Sequence, residues 1–319
     1  MPAESPNRRE TLLITGGAGF IGSHLAREAL AAGNGVVILD NLATGHRRNV
    51  PEGAVFVERD LREPGLEDLL AEYGVTAVSH HAAQANVRVS LEDPAFDAEV
   101  NVVGGIRLIA ACLRVGIRRI LFASSGGTVY GTQQVYPCDE SHPVAPTSPY
   151  GCAKLSFEHY LTAYGRTGEL EPVILRYANV YGPRQDPKGE AGIVAILAQR
   201  LLAEEPPRIF GDGTQTRDYV FVGDIARAQR ALLKRWQGGI YNVGTARETS
   251  VIDLLARVRS ALASDTPVVH TPPVPAELLR SSLDGEKLRR TFDLPEWTPL
   301  EEGLRQTLPF YVEQAGARE

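Results

Sequence analysis

Tyr150 and Lys154 stand four residues apart in Pro146-Thr-Ser-Pro-Tyr150-Gly-Cys-Ala-Lys154, which opens a stretch whose pattern predicts a helix to about Tyr164. At that spacing both side chains project from one helix face. A phenol of pKa ~10 is a poor base at neutral pH, and bringing it near 7 takes ~3 units, or ~4 kcal/mol of preferential stabilisation of the phenolate. An ammonium held one turn away is suited to that task. Taken alone, a Tyr-x-x-x-Lys also describes an ordinary surface pair on an amphipathic helix, so its surroundings decide. One of them is Ser124-Ser125-Gly126-Gly127, a hydroxyl-bearing loop directly after the apolar run of residues 120–123.

A second set of residues lies at 11–22. Thr11-Leu-Leu-Ile-Thr15 turns abruptly into Gly16-Gly-Ala-Gly19-Phe20-Ile21-Gly22, and a helical segment, 23–33, follows at once. Glycine at such a turn lets the backbone approach a pyrophosphate, and the helix N-terminus offers free N–H donors and a positive dipole end. The same glycines also suit a plain tight connection. One strand later, Val36-Val-Ile-Leu39 ends in Asp40-Asn41. A carboxylate ~20 residues past the glycines is where the adenosine ribose of a dinucleotide lies. Asp40 can accept from both ribose hydroxyls and repels a 2′-phosphate, which favours NAD over NADP; otherwise it opens the turn that follows.

The totals bound what these sites serve. With 319 residues and 43% hydrophobic side chains, the chain can build one large domain or two unequal ones. Its 33 basic and 39 acidic residues give a net charge of −6, which offers no electrostatic reason to expect nucleic acid or an anionic membrane as partner. The longest apolar runs fall short of the ~18 residues of a spanning helix, and residues 1–10 lack the apolar core of a secretory signal. The expectation is a cytoplasmic protein. Cys112, Cys138 and Cys152 have no metal-type spacing and read as reduced packing residues, with no metal site.

The elements that position the candidates alternate strand and helix. Apolar runs at 54–57, 75–78, 120–123 and 173–177 predict further strands, with helical patterns at 66–73, about 94–116 (interrupted by Gly104-Gly105) and 150–164. Such alternation predicts a parallel α/β sheet with right-handed crossovers. Asp60, past the third strand, sits at a carboxyl edge, where it is placed either for an adenine amino group or to cap a helix. After a Gly/Pro-rich loop at 179–190, short elements follow: helices near 192–203, 224–236, 251–262 and 300–314, and strands at 209–210, 217–220 and 240–242. The expected fold is a Rossmann-type doubly wound parallel sheet, core 11–176 with later segments returning to it, and a smaller C-terminal α/β lobe, 177–319. A ligand cleft is expected between them.

Thr15-Gly-Gly-Ala-Gly-Phe-Ile-Gly22, Asp40-Asn-Leu-x-x-Gly45, Asp60-Leu61, His80-x-Ala-Ala83, Asn101, Ser124-Ser125, Tyr150-x-x-x-Lys154, Arg176-Tyr-x-Asn-Val-Tyr-Gly-Pro-Arg-Gln185 and Arg217-Asp-Tyr-Val220 together resemble the extended short-chain dehydrogenase/reductase family. The resemblance is strongest to its NAD-dependent UDP-glucose 4-epimerases and runs from about residue 11 to 310. It implies an NAD-dependent isomerase of galactose metabolism, acting on a UDP-sugar as a homodimer paired through helices at ~94–115 and ~150–165. Tyr150 is then the base at the sugar 4-hydroxyl, Ser125 a hydrogen-bond partner of that hydroxyl, and Lys154 the group that bonds the nicotinamide ribose and lowers the tyrosine's pKa. An alcohol is oxidised only if a base removes its proton while hydride leaves carbon. The cofactor set becomes Gly16, Gly19, Phe20, Ile21, Gly22, Asp40, Asn41, Asp60, Leu61, Ala82, Asn101, Tyr150, Lys154 and Tyr177. Asn179 and Arg217 hold the diphosphate, Arg217 as a charged fork, while Ile209 and Phe210 either flank the uracil or belong to the core.

Two departures stand out. Where the family has Arg-Pro-Gly, this chain has Val274-Pro275-Ala276; Arg280 either compensates or is solvated. Ser281, aligned with the family's pocket-size gate, is small, so the N-acetylated sugar pair is expected to enter. A nucleotide-sugar 4,6-dehydratase needs Asp-Glu after its loop threonine, and here Gly126-Gly127 follow Ser125. A decarboxylase or another sugar's epimerase shares the Tyr–Lys pair, and a non-catalytic NAD-binding regulator needs neither.

Overall fold

The computed structural model describes residues 10–187, 192–273 and 278–317, so residues 1–9 and the departure at Val274-Pro275-Ala276 lie outside the described residues. The first strands are β1 (Thr11–Thr15), β2 (Gly35–Asp40), β3 (Val55–Glu58), β4 (Ala77–His80), β5 (Arg119–Ser125) and β6 (Glu171–Tyr177). Then come β7 (Asn179–Tyr181), β8 (Arg208–Phe210), β9 (Thr216–Phe221), β10 (Gly239–Val243), β11 (Glu248–Ser250) and β12 (Val269–Thr271). Among the described residues the large sheet has seven strands in the order β10-β6-β5-β4-β1-β2-β3, every neighbour parallel. Leu12, Leu13, Ile14, Val36, Val37, Ile38 and Leu39 are all buried, which is why these strands read as continuous apolar runs and not as alternation. Connections reverse between β1 and β4, the switch point where a doubly wound sheet binds ligands at its carboxyl edge.

Helices cover both faces. They are α1 (Phe20–Ala31), α2 (Leu66–Glu72), α3 (Val87–Glu92), α4 (Pro94–Ala98), α5 (Gly104–Arg114), the single turn α6 (Gly126–Val129), α7 (Pro149–Arg166), α8 (Ile193–Leu202), α9 (Val222–Lys234), α10 (Val251–Ala261), α11 (Glu286–Thr291) and α12 (Leu300–Gly316). Leu12 and Ile14 pack with Leu25 of α1 and Ile225 of α9 on one face; Leu13 packs with Leu108 of α5 and Phe157 of α7 on the other. A third cluster joins α8, α10 and α12 to β9. There β7 and β11 flank β9, and β8 pairs with β12, as two small sheets. Among the described residues no helix is long and apolar enough to cross a membrane.

The structure revises several expectations. Gly104-Gly105 do not interrupt the helical stretch: a π-helical turn at Glu99–Val103 runs straight into α5. A Cβ on Gly105 meets the Phe157 ring at 2.5 Å, so this glycine permits close helix packing. Strand β4 begins two residues late because the Val75 amide still bonds Leu70 O at the end of α2. The predicted loop at 179–190 starts with a strand, β7, because Asn179, Val180 and Tyr181 pair with Tyr219, Val220 and Phe221. Cys112 and Cys138 are buried, but Cys152 is exposed and does not pack. Among the later segments expected to return, β10 pairs with β6 in the large sheet.

Candidate active site

The Gly loop is pressed into shape by its neighbours. Gly16 has φ +68°, and a Cβ there meets Ala82 N at 2.6 Å; a Cβ on Gly22 meets Gly16 O at 2.3 Å. The end of β4 and the start of α1 therefore close on the turn, and no side chain fits at either point. Thr15 Oγ1 accepts from the His81 and Ala82 amides, both at 3.2 Å, which fixes that approach. Gly19 differs: its Cβ position meets Gly16 O alone, at 3.1 Å. It leads into α1, which has no side-chain cap and no acidic residue in its first turn. The opening amides of α1 are thus left for an anion, and the residues present fit a dinucleotide diphosphate.

Asp40 closes β2, and both readings of it have a place. Its Oδ2 accepts from Ala18 N at 2.9 Å and its Oδ1 from Leu42 N at 2.8 Å, so it does open the turn, while each oxygen keeps a second acceptor position for a ribose hydroxyl. Asp60 follows β3 and is not a helix cap. It bends the chain towards Arg62, whose Nε and Nη2 bond it at 2.8 and 2.9 Å, and it accepts from Asn41 Nδ2 at 2.8 Å. The Arg62 guanidinium holds its carboxyl well below the usual carboxylate range. Leu61 beside it is buried. Asn101, in the π-helical turn, is fully engaged: it donates to Gln84 O and Asp97 Oδ1 and accepts from Gln84 N.

Ser125, Tyr150 and Lys154 converge where β5 ends against α7. Ser125 is the last residue of β5 and pairs with Tyr177 at the end of β6. Ser148 caps α7 by accepting from Gly151 N, so Tyr150 and Lys154 occupy its first turn and a half. The Lys154 side chain is buried, donates to Ala123 O at 3.0 Å, and lies 4.8 Å from the Phe122 ring centre and 5.7 Å from that of Tyr150. Burial lowers its ammonium to about 8, opposed by the charges of Asp97 and Glu158. Burial, together with Asp97, pushes the half-buried Tyr150 phenol up. The protein alone therefore holds a protonated phenol beside a weakly held cation, and further positive charge at the site is what frees the phenolate. Tyr177 is buried and its hydroxyl shares a hydrogen bond with His81 Nε2 at 3.1 Å.

Glu158 and Arg176, which the sequence does not single out as site residues, fix this corner. Arg176 donates Nη2 to Glu158 Oε2 at 2.6 Å and Nε to both oxygens, and Ser124 Oγ donates to Glu158 as well. The spacing Lys154 to Glu158 was the available signal, since one helical turn puts them on a common face.

Arg217 lies on β9, with Nη1 bonded to Thr216 O, and Asn179 starts β7 alongside. Asp218 is buried, accepts from the amides of Thr245, Ala246 and Leu283, and is pushed up to about 6 by burial. It ties the segment that carries Ser281, itself 5% exposed, to β9. Ile209 belongs to the core, and Phe210 is 40% exposed. Arg280 is engaged: its Nε and Nη2 make a two-point ion pair with Glu248 at 2.9 and 2.6 Å, and it stacks 4.0 Å from the Tyr136 ring centre.

A parallel sheet with a glycine turn at its switch point, an acidic residue closing the second strand, and a Ser/Tyr/Lys corner at the fifth defines a dinucleotide-dependent enzyme of the extended short-chain dehydrogenase/reductase type. Residues 12–244 match the NAD dependent epimerase/dehydratase family. The chain belongs to that family, and NAD is its cofactor. It is 44% identical over 306 residues to the UDP-glucose 4-epimerase of Mycolicibacterium smegmatis, covering 94% of this chain and 97% of that protein. Among solved structures it resembles the Thermotoga maritima UDP-glucose 4-epimerase with UDP-glucose, with a TM-score of 0.92, 38% identity, and 95% and 99% of the two chains covered. The Thermus thermophilus UDP-glucose 4-epimerase complex with NAD matches with a TM-score of 0.90, 45% identity, and coverage of 94% and 98%.

Three histidines around the site titrate late. Burial lowers His81 to about 3 and His24, which bonds Pro183 O, to about 4, and it lowers His80, set against Phe122 and Phe157, well below its usual value. Below pH ~6.5 the unfolded chain binds protons that the folded one does not, so stability falls with pH by about 1.4 kcal/mol per unit for each such group. Asp218, pushed up by burial, opposes this for one group, so the three histidines set the net sign: the urea midpoint is expected to be lower at pH 5 than at pH 7, and an equal or higher midpoint would contradict it.

Proposed function

We propose that this chain is a UDP-glucose 4-epimerase, interconverting UDP-glucose and UDP-galactose through a 4-keto sugar. The observation that carries the reading is the convergence of Ser125, Tyr150 and Lys154 on one strand end beside the NAD site, supported by relatives of that activity. Tyr150 takes the proton of the sugar 4-hydroxyl, and Ser125 hydrogen-bonds the same oxygen. Lys154 holds the nicotinamide ribose and favours the phenolate by its charge. Bound NAD supplies the place where the C4 hydride is held until it returns to the opposite face of the ring. Gly19 and the first amides of α1 hold its diphosphate, Asp40 with Asn41 the adenosine ribose, and Asp60 and Leu61 border the adenine. Ala82, Asn101 and Tyr177 border the nicotinamide half.

In this reading residues 11–176 form the NAD-binding domain and 177–319 the sugar-nucleotide lobe, in which Arg217 and Asn179 take the diphosphate and Phe210 lies by the uracil. Arg280 reaches the substrate only by leaving Glu248. A dehydratase is disfavoured by residue type, since Gly126-Gly127 follow Ser125 where that enzyme has Asp-Glu. Purified protein is expected to convert UDP-galactose to UDP-glucose, and Tyr150→Phe to abolish turnover with NAD still bound. Activity retained in that variant would contradict the assignment of the base.

Ser281 supports a wider substrate range, because a small residue at the gate leaves room for an N-acetyl group. UDP-N-acetylglucosamine is expected to be epimerised, and lack of turnover while UDP-galactose reacts would refute this. The enzyme works in the cytoplasm as a homodimer paired through residues 94–115 and 150–165. Supporting the pairing, Leu91, Phe96 and Tyr160 on α3, α4 and α7 are 62%, 40% and 44% exposed. Light scattering is expected to give a mass near twice 34.6 kDa; a monomer at micromolar concentration would exclude that pairing.

A further inference from the structure

Asp97, on α4, is 1% exposed. Its Oδ1 accepts from Gln84 Nε2 at 2.8 Å and Asn101 Nδ2 at 3.0 Å, and its buried Oδ2 has no hydrogen-bond partner. A buried carboxylate with one empty oxygen is costly unless an opposite charge stands near it. That charge is Lys154, on α7 against which α4 packs, and the two carboxylates facing Lys154 are Asp97 and Glu158. Both oxygens of Glu158 are engaged by Arg176, so Asp97 is the anion left to balance the ammonium. The same carboxylate faces Tyr150.

We propose that Asp97 sets the protonation balance of Tyr150, its negative charge anchoring the Lys154 ammonium while opposing ionisation of the phenol. This rests on the reading of Tyr150 as the base. An epimerisation takes one proton from the sugar oxygen and must give it back within the same turnover. Two cations beside the phenol, Lys154 and the nicotinamide ring, favour removal of the proton, and a buried anion restores the ability to return it. Asp97 is a positioning residue and touches no reacting atom. Other groups around the corner do not substitute for it. His80 and His81, at the end of β4, are held neutral by burial, and burial pushes the Tyr177 phenol up. Arg88 and Glu92 on α3 and Glu99 in the π-helical turn lie at the exposed surface.

The test is an ultraviolet titration of phenolate in the NAD-loaded protein, subtracting the same protein carrying Tyr150→Phe so that only Tyr150 is seen. In Asp97→Asn, whose amide oxygen can still accept from Gln84 and Asn101, the Tyr150 midpoint is expected to move down by about one pH unit or more. Asp97→Ser removes the charge differently and is expected to give a shift of the same sign, so either folded variant decides the matter. An unmoved midpoint overturns the proposal, and a loss of stability alone does not shift it. The titration uses no sugar. Failure of the wild type to convert UDP-galactose therefore counts against the epimerase reading, while the titration judges Asp97 separately.

Discussion

The buried ion pair between Glu158 and Arg176 is the constraint on which the reacting corner depends. Their side chains are 2% and 5% exposed, and the pair joins α7 to β6. Ser124 binds it to β5, and Tyr130, which accepts from Arg176 at 3.0 Å and donates to Asn242 at 2.7 Å, binds it to β10. Two charges so placed are costly to desolvate, and removing either one leaves the other unpaired, typically at about 3–5 kcal/mol. The value of the pair lies in geometry. Ser125 follows Ser124 by one residue and Lys154 precedes Glu158 by one turn, so the pair fixes the distance between hydroxyl, phenol and ammonium to within the small tolerance that proton transfer needs.

From that corner the electrostatics run outwards in a definite order. The ammonium of Lys154, itself buried, ends a chain of buried charges, with Arg176 neutralising Glu158 and Asp97 left facing the lysine. The histidines next to it contribute shape without charge: His80 stacks 5.7 Å from Phe122 and meets Phe157 edge-on at 5.4 Å. Asp218 does for β9 what Glu158 does for α7, gathering the amides of Thr245, Ala246 and Leu283 so that Arg217 and the Ser281 segment keep their relation. Leu283 in turn closes the space over Gly126.

Much of this was legible in the chain because it is local. The Gly16/Gly19/Gly22 turn, Asp40 at the end of its strand and the Tyr150/Lys154 turn each declare themselves within one supersecondary unit, and continuous apolar runs announced the parallel sheet. What was not legible depends on contacts distant in sequence. Gly105 looks like a helix breaker until the Phe157 ring is placed against it. Ile209 reads equally as core or ligand contact until β8 is packed. Arg280 is a free cation in the sequence and an ion-pair partner in the fold, since Glu248 lies 32 residues away. Asp97 carries no motif of its own, and only the packing of α4 on α7 brings it to the lysine. Short elements such as β11, β12 and α11 fall below the length at which periodicity says anything.

In the proposed reaction one hydride leaves sugar C4 and returns to the same carbon while Tyr150 handles the proton. UDP-galactose deuterated at C4, run to equilibrium with the enzyme in ordinary water, tests it most directly. The expected product is UDP-glucose that keeps its deuterium at C4, with none released to solvent. Product carrying solvent hydrogen at C4 would contradict it, because the exchange would then proceed through a proton lost to water.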